Sequence, residues 1–402
     1  MRVCFLAGEL GRSGGAATIR SYADGLRERG FQVDLVDPGA VPAGVEPYDV
    51  AIATWWPTAL ELWAVPARRR ALFLQSVESR FYEERHYFER LAAEEVLALP
   101  VAFVTVAGWI RELLAELRPD APCDVVRGGV DKEVFERPHT PRSGPLRVLV
   151  EGQPSMWFKG VHEALGAVRA MAEPAEVTVV AGQPEDAGEV AARVVGGLDA
   201  DGMARLYADH DVVVKLSRVE SLGLAPIEAA HAGTPAVVTP YTGHDEHVVH
   251  GRNGLVVGFD DEPGTARALD RLARDPGLLE RLSDGARESA RDWPSHADAA
   301  EAFAAAVQGI AERPPPDAEG ALAPLARASR RRLELTREHA RQDAWFRHAF
   351  ADATEHIEEL NHALGELRAI LAAKDRQIEE IRSERAYRAA VRVRRLLPGG
   401  DR

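Results

Sequence analysis

Ser217-Arg218-Val219-Glu220-Ser221-Leu222-Gly223-Leu224-Ala225-Pro226-Ile227-Glu228-Ala229, running on through His231-Ala232-Gly233-Thr234-Pro235, lies between two strand-like runs, Val212–Leu216 and Ala236–Thr239. Both runs are short and rich in valine, as strands buried on both faces of a parallel sheet require. Between them come a glycine, a proline suited to the first turn of a helix, and an alanine-rich helical segment. Strand, loop, helix and strand make a βαβ unit, whose ligand-bearing loop follows the first strand. The backbone N–H groups of Ser221, Leu222, Gly223 and Leu224 then lie at a helix N-terminus, where an anion is favoured. Gly223 lets the backbone approach a ligand closely. Glu228, in the first turns, reaches back to the same place, where a carboxylate can accept hydrogen bonds from vicinal hydroxyls.

Working outward, the same alternation runs through most of the chain. Strands are expected at Val3–Ala7, Val33–Val36, Asp49–Ala53, Arg70–Leu74, Phe103–Val106 and Asp124–Val126. A glycine-rich turn at Gly11, Gly14 and Gly15 follows the first of these, and a helix Thr18–Arg29 is closed by Gly30. A linker of Pro138, Pro141, Ser143, Gly144 and Pro145 interrupts the series. It restarts with Arg147–Glu151, a helix from Val161, and strands Val177–Ala181, Val212–Leu216 and Ala236–Thr239, with a helix from Pro226 before the last. The expected fold is therefore α/β: two Rossmann-like domains, 1–140 and 141–312, facing a cleft.

The remainder, 313–402, is of another kind. Arg313 and Pro314–Pro316 stop the preceding helix. Apolar residues then recur at three-four spacing through Phe346, Phe350, Ala353, Ile357, Leu360, Leu364, Leu367, Leu371, Ile378 and Ile381, the pattern of a coiled-coil seam that would join copies of the chain or act as a spacer. Arg382, Arg385, Arg388, Arg392, Arg394 and Arg395 follow, interleaved with Tyr387, Val391, Val393, Leu396 and Leu397. Over 382–397 this is either a solvated helix face or a patch for anionic lipid headgroups, giving peripheral membrane contact.

Composition narrows the function classes. A net charge of −14 over 402 residues argues against nucleic acid as the main partner. With 46% hydrophobic and 28% charged residues, the chain can build ordinary cores. Cys4 and Cys123, the two cysteines, are expected as buried reduced thiols, and no signal peptide precedes the first strand, so the expected compartment is the cytoplasm.

The two glutamates seven residues apart, with glycine between them and Ala-x-x-Gly-Thr-Pro after, resemble the signature of the retaining GT-B glycosyltransferases of the group 1 type. Other landmarks stand in the same order: Gly14-Gly15; Gly128-Gly129-Val130-Asp131 with Phe135; Lys159-Gly160; Leu206-Tyr207-Ala208-Asp209; and Gly251–Val256. The resemblance covers about residues 1 to 310 and implies transfer of a sugar from a nucleoside diphosphate to a glycan or lipid-linked acceptor, in surface polysaccharide synthesis. It implies that Glu220 contacts the donor sugar and that Glu228 binds the ribose hydroxyls. It further implies that Lys159 neutralises the diphosphate with the Ser221, Leu222, Gly223 and Leu224 segment, Gly14 and Gly15 facing the phosphates. No metal and no cofactor beyond the nucleotide-sugar substrate are implied. One departure concerns Gln153, which stands after Gly152 where the family carries an arginine, leaving Arg218 or Arg80 as the second phosphate cation. Gln75 to Phe88, and the run Ala53-Thr54-Trp55-Trp56-Pro57-Thr58-Ala59, are similar to a rhamnosyltransferase branch, which implies deoxythymidine-diphosphate rhamnose as donor.

Plainer readings stand beside these. Asp209-His210-Asp211 has the composition of a metal motif but reads as a cap and a strand start, and Gly243-His244-Asp245-Glu246-His247 reads as a helix start rather than a zinc site. Asp199-Ala200-Asp201 reads as a helix cap, and Trp55 and Trp56 serve either acceptor stacking or core packing. Two rival functions remain, a sugar-nucleotide epimerase of the same fold and a non-catalytic scaffold presenting its coiled coil.

Overall fold

The computed structural model describes residues 1–7, 14–37, 45–140, 144–182 and 192–314, and in the C-terminal part 338, 341–342, 360, 362, 364–380 and 382–395. Gly11, Pro141, Ser143, Pro315, Pro316, Phe346, Phe350, Ala353, Ile357, Ile381, Leu396 and Leu397, all used in the sequence reading, lie outside the described residues.

The first sheet holds β1 (Arg2–Leu6), β2 (Gln32–Val36), β3 (Tyr48–Ala53), β4 (Ala67–Leu74), β5 (Ala102–Thr105) and β6 (Cys123–Val125). These are parallel, in the order β2-β1-β3-β4-β5-β6. Around it lie α1 (Gly14–Glu28), α2 (Trp56–Leu60), α3 (Tyr87–Glu95) and α4 (Gly108–Leu117). Val3 to Leu6 and Val50 to Ala53 have no exposed surface, which is why these strands read as continuous apolar runs.

After α5 (Lys132–Phe135), the second sheet holds β7 (Leu146–Glu151), β8 (Ala175–Ala181), β9 (Arg193–Gly196), β10 (Val212–Lys215), β11 (Ala236–Val238) and β12 (Gly254–Val256). It too is parallel, in the order β12-β11-β10-β7-β8-β9, with α6 (Val161–Arg169), α7 (Ala200–Ala208), α8 (Leu224–His231), α9 (Glu262–Arg274) and α10 (Pro276–Arg291). Strand order reverses between β7 and β10, so the crevice beyond their carboxyl ends is the expected ligand position.

The chain then returns to the first domain. Trp293 donates its indole N–H to the Gly128 carbonyl at 2.9 Å, and Val130 donates to Pro294 at 3.1 Å. Helix α11 (His296–Glu312), opened by a reciprocal Ser295–Asp298 cap, places Phe303 against Phe5, Tyr22 and Phe73 with ring centroids 5.9, 4.3 and 5.5 Å away. A return of the Trp293–Ile310 segment to the first domain is also what the resemblance to the group 1 type implies. Side-chain stacking of this kind adds to the area term and fixes the helix on the sheet.

Three expectations need correction. Gly14 and Gly15 lie in the first turn of α1, not in a turn before it, and α8 starts at Leu224, before Pro226. Glycine is a poor helix former, so the sequence signals a turn; at a helix N-terminus the penalty is small. Cys123 is only half-buried, because β6 is the edge strand of its sheet.

Residues 330–402 form a unit of their own. Residues 364–380 and 382–395 are helical, and the described seam residues Leu360, Leu364, Leu367, Leu371 and Ile378 are all exposed. Among the described residues no helix is long and apolar enough to cross a membrane.

Candidate active site

The carboxyl ends of β7 and β10 meet at the switch point, in a register pairing Val214 with Val150. Each strand then ends on a charge, Glu151 and Lys215 respectively, and the two side chains form an ion pair. Lys215 is 2% exposed, in a strand whose other residues are all buried valines. A lysine almost never occupies such a position without partners. Here it has two, because its Nζ also lies 2.9 Å from Glu220 Oε1. Burial alone would lower the lysine; the carboxylates of Glu151 and Glu220 overcome that and raise it above the ordinary range.

Glu220 follows in the loop toward α8. Its Oε1 accepts from Lys159 Nζ at 2.7 Å and from the Ser217 hydroxyl at 3.1 Å, besides Lys215. Burial would raise this carboxyl, but Lys215 and Lys159 hold it down at about 2. Lys159 comes from the 3-10 turn Trp157–Lys159, which ends in Gly160 at φ +67°. A Cβ there would collide with the Leu216 carbonyl, so only glycine lets the lysine-bearing turn pack on the strand end.

Gly223, at φ +76°, is the N-cap of α8, and no side chain caps that helix. The loop is held by its carbonyls: Trp109 donates its indole N–H to Ser221 O at 2.7 Å, and His247 Nε2 lies 2.5 Å from Leu222 O. A carbonyl cannot donate, so Nε2 carries the hydrogen; burial pushes the ring down to about 4, leaving it neutral. In a trans peptide the N–H points opposite the carbonyl. The amides of Leu222 and Gly223 are thereby turned away from Trp109 and His247.

Glu228 lies one helical turn further on, in α8, with Tyr207 donating to its Oε2 at 3.1 Å. Burial pushes this carboxyl up to about 7; the Tyr207 bond works against the rise and Glu151 adds to it.

The first domain reaches this loop through Trp109 at the start of α4. Glu246 of the second domain accepts from Gly108 N at 2.8 Å and pairs with Arg127. Phe81 packs on Phe158 at 5.1 Å, next to Lys159, and its carbonyl accepts from Trp157 at 3.3 Å. Beside them Glu78, 6% exposed, accepts from the Trp56 amide at 2.7 Å, and burial pushes its carboxyl up to about 8 against that bond.

Of the residues named from sequence, Lys159, Glu220, Ser221, Leu222, Gly223 and Leu224 form one continuous cluster, with Glu228 behind it on α8. Gly14 and Gly15 belong to the first domain, at the start of α1, where a Cβ on Gly15 would lie 3.1 Å from the Gln75 side chain. Gln153 is buried after the second domain's first strand. Arg218 is engaged by Asp260 and Glu163, and Arg80 stacks on Trp109 at 5.5 Å. Asp211 is fully buried on Arg147, Asp199 caps α7, and His244–Glu246 is a short 3-10 turn. Trp55 is half exposed, while Trp56 donates to Tyr82 at 2.9 Å. Sequence reasoning missed Lys215, Glu151, Trp109 and Glu246. The signal for the first two was present: charges of opposite sign ending two strands that are otherwise mostly apolar.

Residues 132–289 match the family model described as glycosyl transferases group 1, a span that takes in β7 through α9 and every residue of the Lys159–Glu220–Glu228 cluster. By this match the second domain resembles the group 1 glycosyl transferases. Over 213 residues the chain is 32% identical to a glycogen synthase of Mycobacterium tuberculosis, covering 48% of this chain and 51% of that protein, about half its length. Over 295 residues it is 30% identical to a D-inositol 3-phosphate glycosyltransferase of Stackebrandtia nassauensis, covering 62% and 66%. Among solved structures, a sucrose-phosphate synthase from Thermosynechococcus elongatus superposes with a TM-score of 0.65 at 16% identity, over 77% of this chain and 99% of that one. The Anabaena protein HepE, in complex with UDP-glucose, gives 0.63 at 15%, over 77% and 100%. At such identities the likeness is one of fold, and the fold is GT-B.

Proposed function

We propose that the chain transfers a sugar from a nucleoside diphosphate sugar to a hydroxyl acceptor, with retention of anomeric configuration. The observation that carries this is the Lys159–Glu220 contact of 2.7 Å, at the uncapped start of α8 in the group 1 domain. A lysine and a helix N-terminus that share one crevice form an anion site suited to a diphosphate. Glu220 stands beside it as a fixed negative charge for a donor sugar that becomes oxocarbenium-like. Glu228 accepts the ribose hydroxyls.

In this scheme the anomeric C–O bond breaks and its electron pair leaves on the diphosphate. Lys159 and the Leu222–Leu224 amides take up the charge that develops. The acceptor oxygen attacks on the face the diphosphate leaves, and passes its proton to a departing phosphate oxygen on that face. The first domain, with Trp55 exposed and Glu78 buried beside Trp56, lines the acceptor side. No divalent cation is needed, since lysine and helix dipole neutralise the leaving group.

The test is a calorimetric panel of nucleoside diphosphates and their sugars, UDP-glucose and dTDP-rhamnose among them, against wild type and Glu228→Ala, with magnesium or EDTA. One nucleotide should bind equally in both buffers and about tenfold or more weakly in the variant, the loss of a charge-assisted clamp. Silence across the whole panel would leave the scaffold reading in possession.

A further inference from the structure

We propose that Lys215 is a positioning residue that takes over from Lys159 as the counter-charge of Glu220 when Lys159 turns to the donor diphosphate. The proposal rests on the donor site described above and adds a part that site lacks.

Three observations lead to it. First, a single oxygen, Glu220 Oε1, accepts from both ammonium groups, Lys159 at 2.7 Å and Lys215 at 2.9 Å. Second, the two lysines differ in freedom: the Lys215 side chain is 3% exposed and the Lys159 side chain 21%. Lys215 is the last residue of β10 and is held from the far side by Glu151 at the end of β7, whereas Lys159 rides on a short turn. Third, the Lys215–Glu151 pair sits at the strand-order reversal, where a ligand reaches the sheet.

A buried carboxylate that loses its only cation is left uncompensated, which is strongly unfavourable. With Lys159 alone, every donor binding would strip Glu220 of its partner, and the carboxyl would take up a proton. With Lys215 fixed beneath it, Glu220 remains ionised and aimed. The string Glu151–Lys215–Glu220 then carries one net negative charge, on the side facing the proposed donor sugar, as an oxocarbenium-like centre requires. The groups facing Glu220 are Lys159 from the turn after β7, Lys215 from β10, and Ser217 from its own loop. Glu151 faces it through Lys215, and Tyr241 and His247 stand further off in the segment after β11.

The experiment uses the full chain and follows release of nucleoside diphosphate from its sugar donor between about pH 5 and 9, beside calorimetric binding of the nucleoside diphosphate. In Lys215→Met, binding should stay within about threefold of wild type while kcat falls about 100-fold. The acid limb of kcat should move up by more than about one pH unit, because Glu220 is then protonated once Lys159 leaves it. Lys215→Arg should recover both kcat and limb. Glu151→Gln should keep the limb in place, since Lys215 stays on Glu220, and it reports on the proposal even where the methionine variant folds poorly. A Lys215→Met enzyme with the wild-type limb, or one whose nucleotide binding falls in step with kcat, would overturn the proposal alone. A wild type that binds no nucleotide would overturn the donor reading and this one with it.

Discussion

The two sheets reverse strand order at different places and put different chemistry there. In the first, β1 and β3 meet with Leu6 beside Ala53, both fully buried, and the next polar group, the Thr54 hydroxyl, is spent on the Leu6 carbonyl at 3.0 Å. In the second, β7 and β10 meet with Glu151 beside Lys215. The buried carboxyls of the two domains diverge in the same way. Glu78 has a backbone amide for a partner and is pushed up to about 8 by burial, which that bond opposes. Glu220, its side chain 14% exposed, is also largely withdrawn from solvent but has two lysines, and lies at about 2. Burial therefore does not decide whether a carboxyl is charged; the strand ends beneath it do. The first domain is built to stay neutral where the second is built to hold charge.

The sharpest way to break this contrast is to neutralise both carboxyls and compare turnover. Glu220→Gln should lower kcat about 1,000-fold, since it removes a fixed charge from the proposed reacting centre, while Glu78→Gln should cost less than about tenfold. Equal losses, measured as nucleotide release, would place chemistry in the first domain as well.

A smaller effect separates the two glutamates of the motif itself. Glu228 lies at about 7 because burial prevails over the hydrogen bond it accepts from the neutral Tyr207 hydroxyl. In the proposed donor site it must be ionised to accept two ribose hydroxyls, so donor affinity should rise with pH through about 7, by about tenfold at most between pH 6 and 8. A nucleoside diphosphate sugar is the right probe, as its phosphates do not titrate in that window. Glu228→Gln should bind more weakly and show no such rise; a wild-type affinity flat across the window would remove the ribose role.

Much of this was legible in the sequence because it is local. The strands β1, β3, β7, β8 and β10 are mostly apolar, each with a buried run of valine, alanine, leucine, isoleucine or phenylalanine, and the Glu220–Glu228 spacing is fixed by one loop and one helix. The return of the chain at Trp293 was implied by the family resemblance and not by any local pattern. Two edge strands were not read: β9, Arg193–Gly196, and β12, Gly254–Val256, each hold only two apolar residues beside a glycine, which signals a turn as readily as a strand. The charge string was hidden for another reason. Lys215 and Glu151 stand 64 positions apart and meet only because the sheet changes direction between their strands. Trp109 and Ser221, 112 apart, meet only across the two domains. A strand reading that scores Val212–Leu216 as apolar passes over the one residue in it that does not fit.

The gentlest test of the contrast is a stability profile, because it asks whether the first domain really keeps its carboxyl neutral. The folded chain holds the Glu78 proton up to about 8, whereas the unfolded chain releases it near 4.5. Between those values the folded state binds more protons, so the contribution of Glu78 is fully present below the ordinary glutamate value and is lost as pH rises through about 8. The slope is at most about 1.4 kcal/mol per pH unit. Glu78→Gln keeps an oxygen for the Trp56 amide and removes the titration. The difference in unfolding free energy between wild type and variant should then favour wild type least at the alkaline end and should shrink or reverse between pH 5 and 9, while all other titrating groups cancel. Parallel profiles would mean that Glu78 is ionised in the folded chain. The first domain would then hold a buried charge after all, and the search for its cation would begin at the neighbouring Arg80.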